Sequence, residues 1–275
     1  MLHSVPLDDH RVLAVTGRDR APFLQGQLTQ DIAVVRPDVT VMAGWADAKG
    51  RLRFAGHLFS TAVDGEDALA LLVPADLAEE LLKQLRTYVL RAKAAIALLD
   101  RTVIGLMGTP GSAAGQAISI LGGTDRHLLL GETVKAAPCT RSDWQLADIR
   151  AGIPEIRATT TGRFVPQMVN LDLLGGISFT KGCYTGQEIV ARMKYLGRIK
   201  RRMLRFSAPD GPPLAGAALH AGRGVAGQVV SSVPTASGSE FLAVVMLDDL
   251  PGPFHLDDAG TRPARRLKLP YEVPL

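Results

Sequence analysis

Strand-like segments in this chain come in runs while helix-like segments stand alone, and that ordering limits the folds open to it. Arg11 to Thr16 carries β-branched and apolar residues closed by Gly17, the pattern of a strand. Val41 to Trp45 and Leu52 to Phe59 flank Asp47-Ala48-Lys49-Gly50, whose glycine suits a tight turn, so the pair predicts a hairpin. In its second arm Leu52, Phe54, Gly56 and Leu58 share one face, with Arg51, Arg53 and His57 on the other. Asp19 reads as the N-cap of a short helix through Phe23 and Leu24. A longer helix is predicted near 76–89, where Leu77, Leu81, Leu82, Leu85, Tyr88 and Val89 recur at the helical period and Asp76 with Glu79 suggests a capping box. Residues 92–99 and 102–107 read as strands, and 143–151 as a second helix, with Gly152 past its end and Pro154 blocking continuation. Without a strict strand–helix–strand rhythm, this order predicts an α+β arrangement over a doubly wound sheet.

From about Met203 the character changes. Short apolar strands at 203–206, 228–233 and 241–247 alternate with turns rich in Gly, Pro and Ser, which predicts a small β-barrel or sandwich. The expected division is an α+β region over 1–205 and a barrel over 206–275. A length of 275 residues suits two such units, since one domain usually takes ~100–200.

Several function classes are disfavoured. No apolar run approaches the ~18 residues a membrane helix needs, and the first residues lack the basic and apolar regions of a secretory signal. The cysteines, Cys139 and Cys183, lie 44 positions apart with no Cys-x-x-Cys, which suits a reducing, cytoplasmic setting. Two thiolates cannot complete an ordinary four-thiolate iron–sulfur site. No metal site is expected, because the six histidines are scattered and no two sit four apart. Gly222-Arg-Gly224-Val-Ala-Gly227 matches a dinucleotide fingerprint letter for letter, but Val229, Val230 and Val233 after it read as a strand, so a hairpin is the better reading. The net charge of +4 is concentrated: seven basic residues fall between Arg192 and Arg205, with no carboxylate between Ile189 and Pro209.

The segment with the clearest chemistry is Lys181-Gly-Cys183-Tyr-Thr-Gly-Gln187-Glu188, with residues 177–180 before it reading as a short strand and Gln187 to Tyr195 after it as a helix. Cys183 then falls at or just before a helix N-terminus, where unpaired amides and Lys181 favour a thiolate. Spacing alone leaves a buried structural cysteine equally open. Cys139, beside Pro138 and Thr140, has no activating neighbour in sequence.

This octapeptide resembles the hallmark of the YgfZ-type branch of the folate-binding glycine-cleavage T-protein superfamily, a motif shared with mitochondrial iron–sulfur assembly factors. Further blocks resemble that family in its own order: Phe23-Leu-Gln25-Gly-Gln27-Leu-Thr29-Gln-Asp31, Asp47-Ala-Lys49-Gly50-Arg51, Tyr88-Val-Leu-Arg91, Arg150-Ala-Gly-Ile-Pro154 and Pro166-Gln167-x-x-Asn170-Leu171. Together they cover about 11–205; the barrel resembles the family only loosely. The resemblance implies a ferredoxin-like unit and a second α+β unit around a central tetrahydrofolate site, followed by a small C-terminal β-barrel. It places Gln25, Gln27, Asp31, Lys181, Gln187, Glu188 and Arg192 around the folate, with Cys183 as functional thiol. Lys181 and Arg192 suit glutamate carboxylates and the glutamines a pterin edge. The chain departs from true aminomethyltransferases, whose hairpin carboxylate near the reacting carbon has no counterpart, because no Asp or Glu occurs between Asp47 and Asp64. The expected function is therefore a folate-binding accessory factor for iron–sulfur enzymes, including tRNA-thiolating ones. Its expected partners are those enzymes or cluster-assembly proteins, with a tRNA contact through the basic patch. Two alternatives stay open: a folate-dependent one-carbon transferase, and an RNA-binding module using 192–205.

Overall fold

A computed structural model of the chain describes residues 1–110, 117–120, 125–132, 134–222 and 224–274. The first elements are strands β1 (His3–Pro6) and β2 (His10–Thr16), helix α1 (Arg20–Gln25), strands β3 (Val41–Ala46), β4 (Leu52–Val63) and β5 (Glu66–Pro74), and helix α2 (Ala75–Arg86). Next come strands β6 (Ala95–Leu99), β7 (Val103–Met107), β8 (Ile118–Ser119), β9 (Arg126–Leu130) and β10 (Ala137–Pro138), and helices α3 (Arg141–Ala151) and α4 (Gln187–Tyr195). The last strands are β11 (Arg201–Ala208), β12 (Ala218–Ala221), β13 (Gly224–Thr235), β14 (Gly238–Met246), β15 (Phe254–His255) and β16 (Pro263–Leu267). Two five-stranded sheets, ordered β3-β4-β5-β2-β6 and β10-β1-β7-β9-β8, precede a closed barrel ordered β11-β14-β13-β12-β15-β16. The fold is α+β with a C-terminal β-barrel. No helix among the described residues is long and apolar enough to cross a membrane.

The first sheet is the middle layer. Leu13, Val15, Leu69 and Leu71 on one face pack with Leu77, Leu81 and Leu85 of α2. Val12, Ala14, Phe59 and Leu72 on the other pack with Val5, Val103 and Leu128 of the second sheet and with Trp144 of α3. This sandwiching corrects the expectation of a polar outer face on β4. His57 is buried at 7% exposure and hydrogen-bonds Thr40 Oγ1 at 3.0 Å. Burial lowers its pKa to about 4, so it sits there neutral.

The barrel strands are also covered on both sides. Leu204, Phe206, Val229, Phe241 and Val245 fill the barrel, while Met203, Val230, Leu242 and Val244 join the core of the N-terminal sheets. The first barrel strand straddles the expected boundary at 205. The Gly222 to Gly227 segment joins two antiparallel strands with no helix, as the hairpin reading expects, although Arg223 lies outside the described residues.

Local signals differ in how they are used. Thr140 and Asp143 form a capping box that starts α3 two residues earlier than the periodicity suggests, and Gly152 ends it in the left-handed region. The capping box expected at Asp76 and Glu79 does not form; Asp76 instead accepts a hydrogen bond from the Ala158 amide at 3.1 Å. Asp19 precedes α1, but its carboxylate accepts from the Lys93 amide rather than capping the helix.

A charge network ties the start of β2 to the segment after α3. His10 contacts Asp9 through Nδ1 at 2.9 Å and Glu155 through Nε2 at 3.1 Å, and Arg141 and Arg157 contact both carboxylates. Burial opposes charge on His10, but the bonds to Asp9 and Glu155 outweigh it and raise its pKa above 6.5. Burial likewise opposes charge on Glu155, yet His10 and Arg157 hold it down at about 2, and Asp9 is also lowered. The raised histidine stabilises the fold below pH 6.5 and loses that contribution as pH rises through its folded value. The lowered carboxylates stabilise it above their ordinary values of 3.8 and 4.5 and lose that as pH falls. The network's own contribution should therefore be greatest between about pH 4.5 and 6.5, and the melting-temperature difference between wild type and His10→Gln should shrink as pH rises above 6.5. An unchanged alkaline slope in that variant would remove the network from the account.

Candidate functional site

The hallmark octapeptide is held by the segment between α1 and β3. Lys181, only 8% exposed, points its ammonium at the Leu28 and Gln30 carbonyls, 2.8 Å from each. Its Nζ also lies 5.1 Å from the centre of the Tyr184 ring. Burial pushes Lys181 down to about 8, opposed by the charge of Asp31, and pushes the Tyr184 phenol up to about 12. The Thr185 amide donates to Gly26 O at 3.2 Å, and the Ser178 amide to Thr29 O at 2.9 Å. Residues 177–180, expected as a strand, form none: Thr29 and Gln30 side chains take the Gly176 and Gly175 carbonyls instead.

The same segment gathers several sequence-predicted residues. Gln25, the last residue of α1, donates from Nε2 to Asp31 Oδ1 at 3.0 Å and accepts from the Ile32 amide at 2.8 Å. Asp31 caps a short turn by accepting from the Ala33 amide; that bond, with Gln25, lowers its pKa. Gln27 has a buried Oε1 with no hydrogen-bond partner. The structure thus brings Gln25, Asp31 and Lys181 together. Gln187 and Glu188 open α4, whose span is the one spacing predicts, and Arg192 is exposed in its last turn.

Cys183 is exposed, but it stands three residues before the Gly186 cap and so lies short of the helix terminus. Cys139 is partly buried, and burial, followed by the nearby Asp143 charge, raises its pKa. Iodoacetamide at neutral pH should therefore label Cys183 well ahead of Cys139. Peptide mass analysis over time reads both sites, and equal rates would remove the distinction between them.

A cleft of about 670 Å³ adjoins this cluster, lined by Trp45, Asp47, Arg53, Lys83, Gln84 and Tyr88 among others. Trp45 bridges to Leu28, whose carbonyl receives Lys181, so cleft and cluster share one wall. The Tyr88 ring meets Trp45 edge-on at 6.2 Å, and the buried Trp45 Nε1 has no hydrogen-bond partner. The hairpin turn packs on α4: a side-chain carbon at Gly186 (φ 81°) would lie 2.5 Å from Asp47 O, and one at Gly50 2.8 Å from Ile189. Both positions therefore require glycine. The cleft sets an aromatic wall beside two cations, Arg53 and Lys83, and three carboxylates, Asp47, Glu79 and Glu80, with Arg53 paired to Asp47 at 3.3 Å; its flat wall suits a planar heteroaromatic ligand. Sequence reading missed Trp45, Arg53, Thr29 and Gln30 as candidate site or supporting residues. Their signal was position inside or beside the quoted blocks, without any unusual residue type.

Two further residues tie α4 and the barrel strand β11 to the segment after α3. Gln167 and Asn170 are fully buried and donate to Val190 O and Met203 O, each at 2.7 Å. Arg202 pairs with Asp172 at 2.7 Å, and Arg205 with Glu240 at 2.7 Å. These two members of the 192–205 patch are therefore already partnered.

No family model matches the chain. It is 31% identical to the tRNA-modifying protein YgfZ of Yersinia pseudotuberculosis serotype O:1b over 283 residues, covering 90% of this chain and 84% of that protein. To the tRNA-modifying protein YgfZ of Escherichia coli strain SMS-3-5 it is 33% identical over 309 residues, covering 97% and 92% respectively. Among solved structures, the glycine cleavage system aminomethyltransferase T of Bartonella henselae matches with a TM-score of 0.74 at 14% identity, covering 97% of this chain and 84% of that one. That likeness is one of fold.

Proposed function

The chain belongs to the YgfZ family, and from that premise we propose that it is a folate-binding accessory factor for iron–sulfur enzymes in tRNA modification, with Cys183 as its working thiol. The observation that carries this reading is convergence. Segments 25–31, 47–50 and 181–188, far apart in sequence, pack against one another, and Asp47 and Trp45 carry that junction into the wall of the cleft. Tetrahydrofolate would lay its pterin against the Trp45–Tyr88 wall, with Lys83 within the cleft for the glutamate. Bound there, it would supply a one-carbon carrier beside the Cys183 segment. Gln25 and Asp31 hold the segment that receives Lys181, while Gln187, Glu188 and Arg192 supply the polar face of α4.

Aminomethyl transfer is not part of this reading. β4, Leu52–Val63, carries no carboxylate that could stabilise charge at a reacting carbon. A lone thiolate can act as a nucleophile, a sulfur acceptor or one ligand of a shared cluster. Iron–sulfur enzymes and the tRNA they modify are the proposed partners, the tRNA through the exposed part of the 192–205 strip, and the cytoplasm is the proposed compartment.

Calorimetric titration of the full chain with tetrahydrofolate should show one site. Lys83→Gln, which removes a cation from the cleft, should weaken binding about tenfold or more, the size of one hydrogen bond to a charged group. No binding by the wild type, or robust aminomethyl transfer with the other glycine-cleavage proteins, would overturn the proposal.

A further inference from the structure

The end of α4 leaves an unusual surface beside the Cys183 segment. Tyr195 is 65% exposed and Leu196 85% exposed. The Tyr195 ring is held edge-on against Phe179, with centroids 6.3 Å apart, and Lys194 Nζ lies 4.3 Å from the Phe179 ring centre. Phe179 belongs to the stretch leading into Cys183, so this contact seats the helix end against the motif itself. Around the aromatic pair, Arg192, Lys194, Arg198, Lys200 and Arg201 are all exposed, and no carboxylate occurs from 189 to 208. Arg202 and Arg205 do not belong to this surface, because Asp172 and Glu240 take them. Phe206, the other aromatic near the basic run, is wholly buried in the barrel.

A basic strip alone is usually a solvated face, satisfied by counterions. Two features set this one apart. An exposed aromatic ring is fixed by a neighbour and does not lie flat on the core, and the cations stand on both sides of it along the chain. Cations for phosphates and a fixed ring for a base are the two parts of a single-strand binding surface, whereas a duplex needs only charge and shape. An acidic protein would satisfy the charge but would leave the raised ring without a flat partner.

We infer that the α4 terminus binds single-stranded RNA, stacking one unpaired base on Tyr195 and delivering the neighbouring nucleotide to the face that carries Cys183. This deepens the proposed link to tRNA modification and rests on it for its biological setting; the binding itself needs neither folate nor a cluster. It also assigns a nucleotide-positioning role to Tyr195 that the hallmark motif does not contain.

The test is fluorescence anisotropy of the full chain with a labelled 12-nucleotide single-stranded RNA and with the same sequence as a duplex, across a salt series. The single strand should bind more tightly. Tyr195→Ala should weaken it roughly five- to 150-fold, the range of one base–aromatic stack. Lys194→Gln, Arg198→Gln and Lys200→Gln together should flatten the salt slope by about 2, at ~0.7 per phosphate contact. Arg265→Gln with Arg266→Gln, on an exposed part of the barrel, should change neither. A duplex preference, undiminished binding by Tyr195→Ala, or no binding at low salt would each overturn the inference. So would full competition by polyglutamate peptide, which would make the surface a dock for an acidic protein. Wild-type folate binding measured on the same preparation tells a failure of this inference from a failure of the folate reading.

Discussion

A strain carrying Cys183→Ser in place of the wild-type chain should lose the same iron–sulfur enzyme activities and the same tRNA methylthiolation as a deletion strain. The purified variant should nonetheless melt within about 2 °C of wild type, as an exposed substitution usually costs under about 0.5 kcal/mol. The motive is the position of the thiol. Cys183 is exposed on a segment whose neighbours are fixed: Lys181 by two backbone carbonyls, Tyr184 by burial, Thr185 by Gly26. A structural cysteine would be buried in such a run, and here it is exposed. Serine keeps the volume and a polar tip but cannot supply a thiolate. Enzyme activities from matched-expression strains decide the matter. Full rescue by the serine variant would leave the octapeptide a scaffold and remove the central functional claim.

Much of this fold is legible in the sequence, and the features that are not share a physical cause. α4 falls on the predicted residues because Ile189, Val190 and Met193 repeat at the helical period and Gly186 supplies a left-handed start. The β3–β4 hairpin follows from its turn chemistry, and the barrel from strand length and turn composition. Sequence and structure part where an element is covered on a side that local pattern treats as solvent. His57 on β4 is buried because a second sheet lies over it, which nothing in β4 announces. Residues 177–180 have strand-like composition, but the Thr29 and Gln30 side chains take carbonyls beside them from a distance of about 147 positions in sequence. Lys181 was legible as important through the motif, yet its burial was not, because lysine is ordinarily a surface residue. Where tertiary contacts supply the hydrogen bonds, short-range pattern cannot assign them.

Lys181 gives the sharpest test of that point. The octapeptide suggests an ammonium reaching for a ligand carboxylate, whereas the geometry spends two of its three N–H groups on Leu28 and Gln30 carbonyls. Lys181→Met should therefore act first on the fold. It removes two charge-assisted hydrogen bonds and strands two acceptors, a loss of about 3 kcal/mol. In a chain of this size that lowers the melting temperature by roughly 6–12 °C. A second readout comes from titration. Burial lowers the Lys181 pKa to about 8 from 10.5, so the folded state gives up this proton before the unfolded chain does. Its contribution is fully present above 10.5 and lost as pH falls toward 8, so the wild type should gain on the non-titrating methionine variant across that window. Folate affinity should fall only as far as the displaced Leu28–Trp45 wall loosens the cleft. Thermal melts from pH 7 to 10.5 and calorimetry on both proteins separate the cases. An unchanged melting temperature with a tenfold or greater loss of tetrahydrofolate affinity would return the ammonium to the ligand and overturn its role as the anchor of the Cys183 segment.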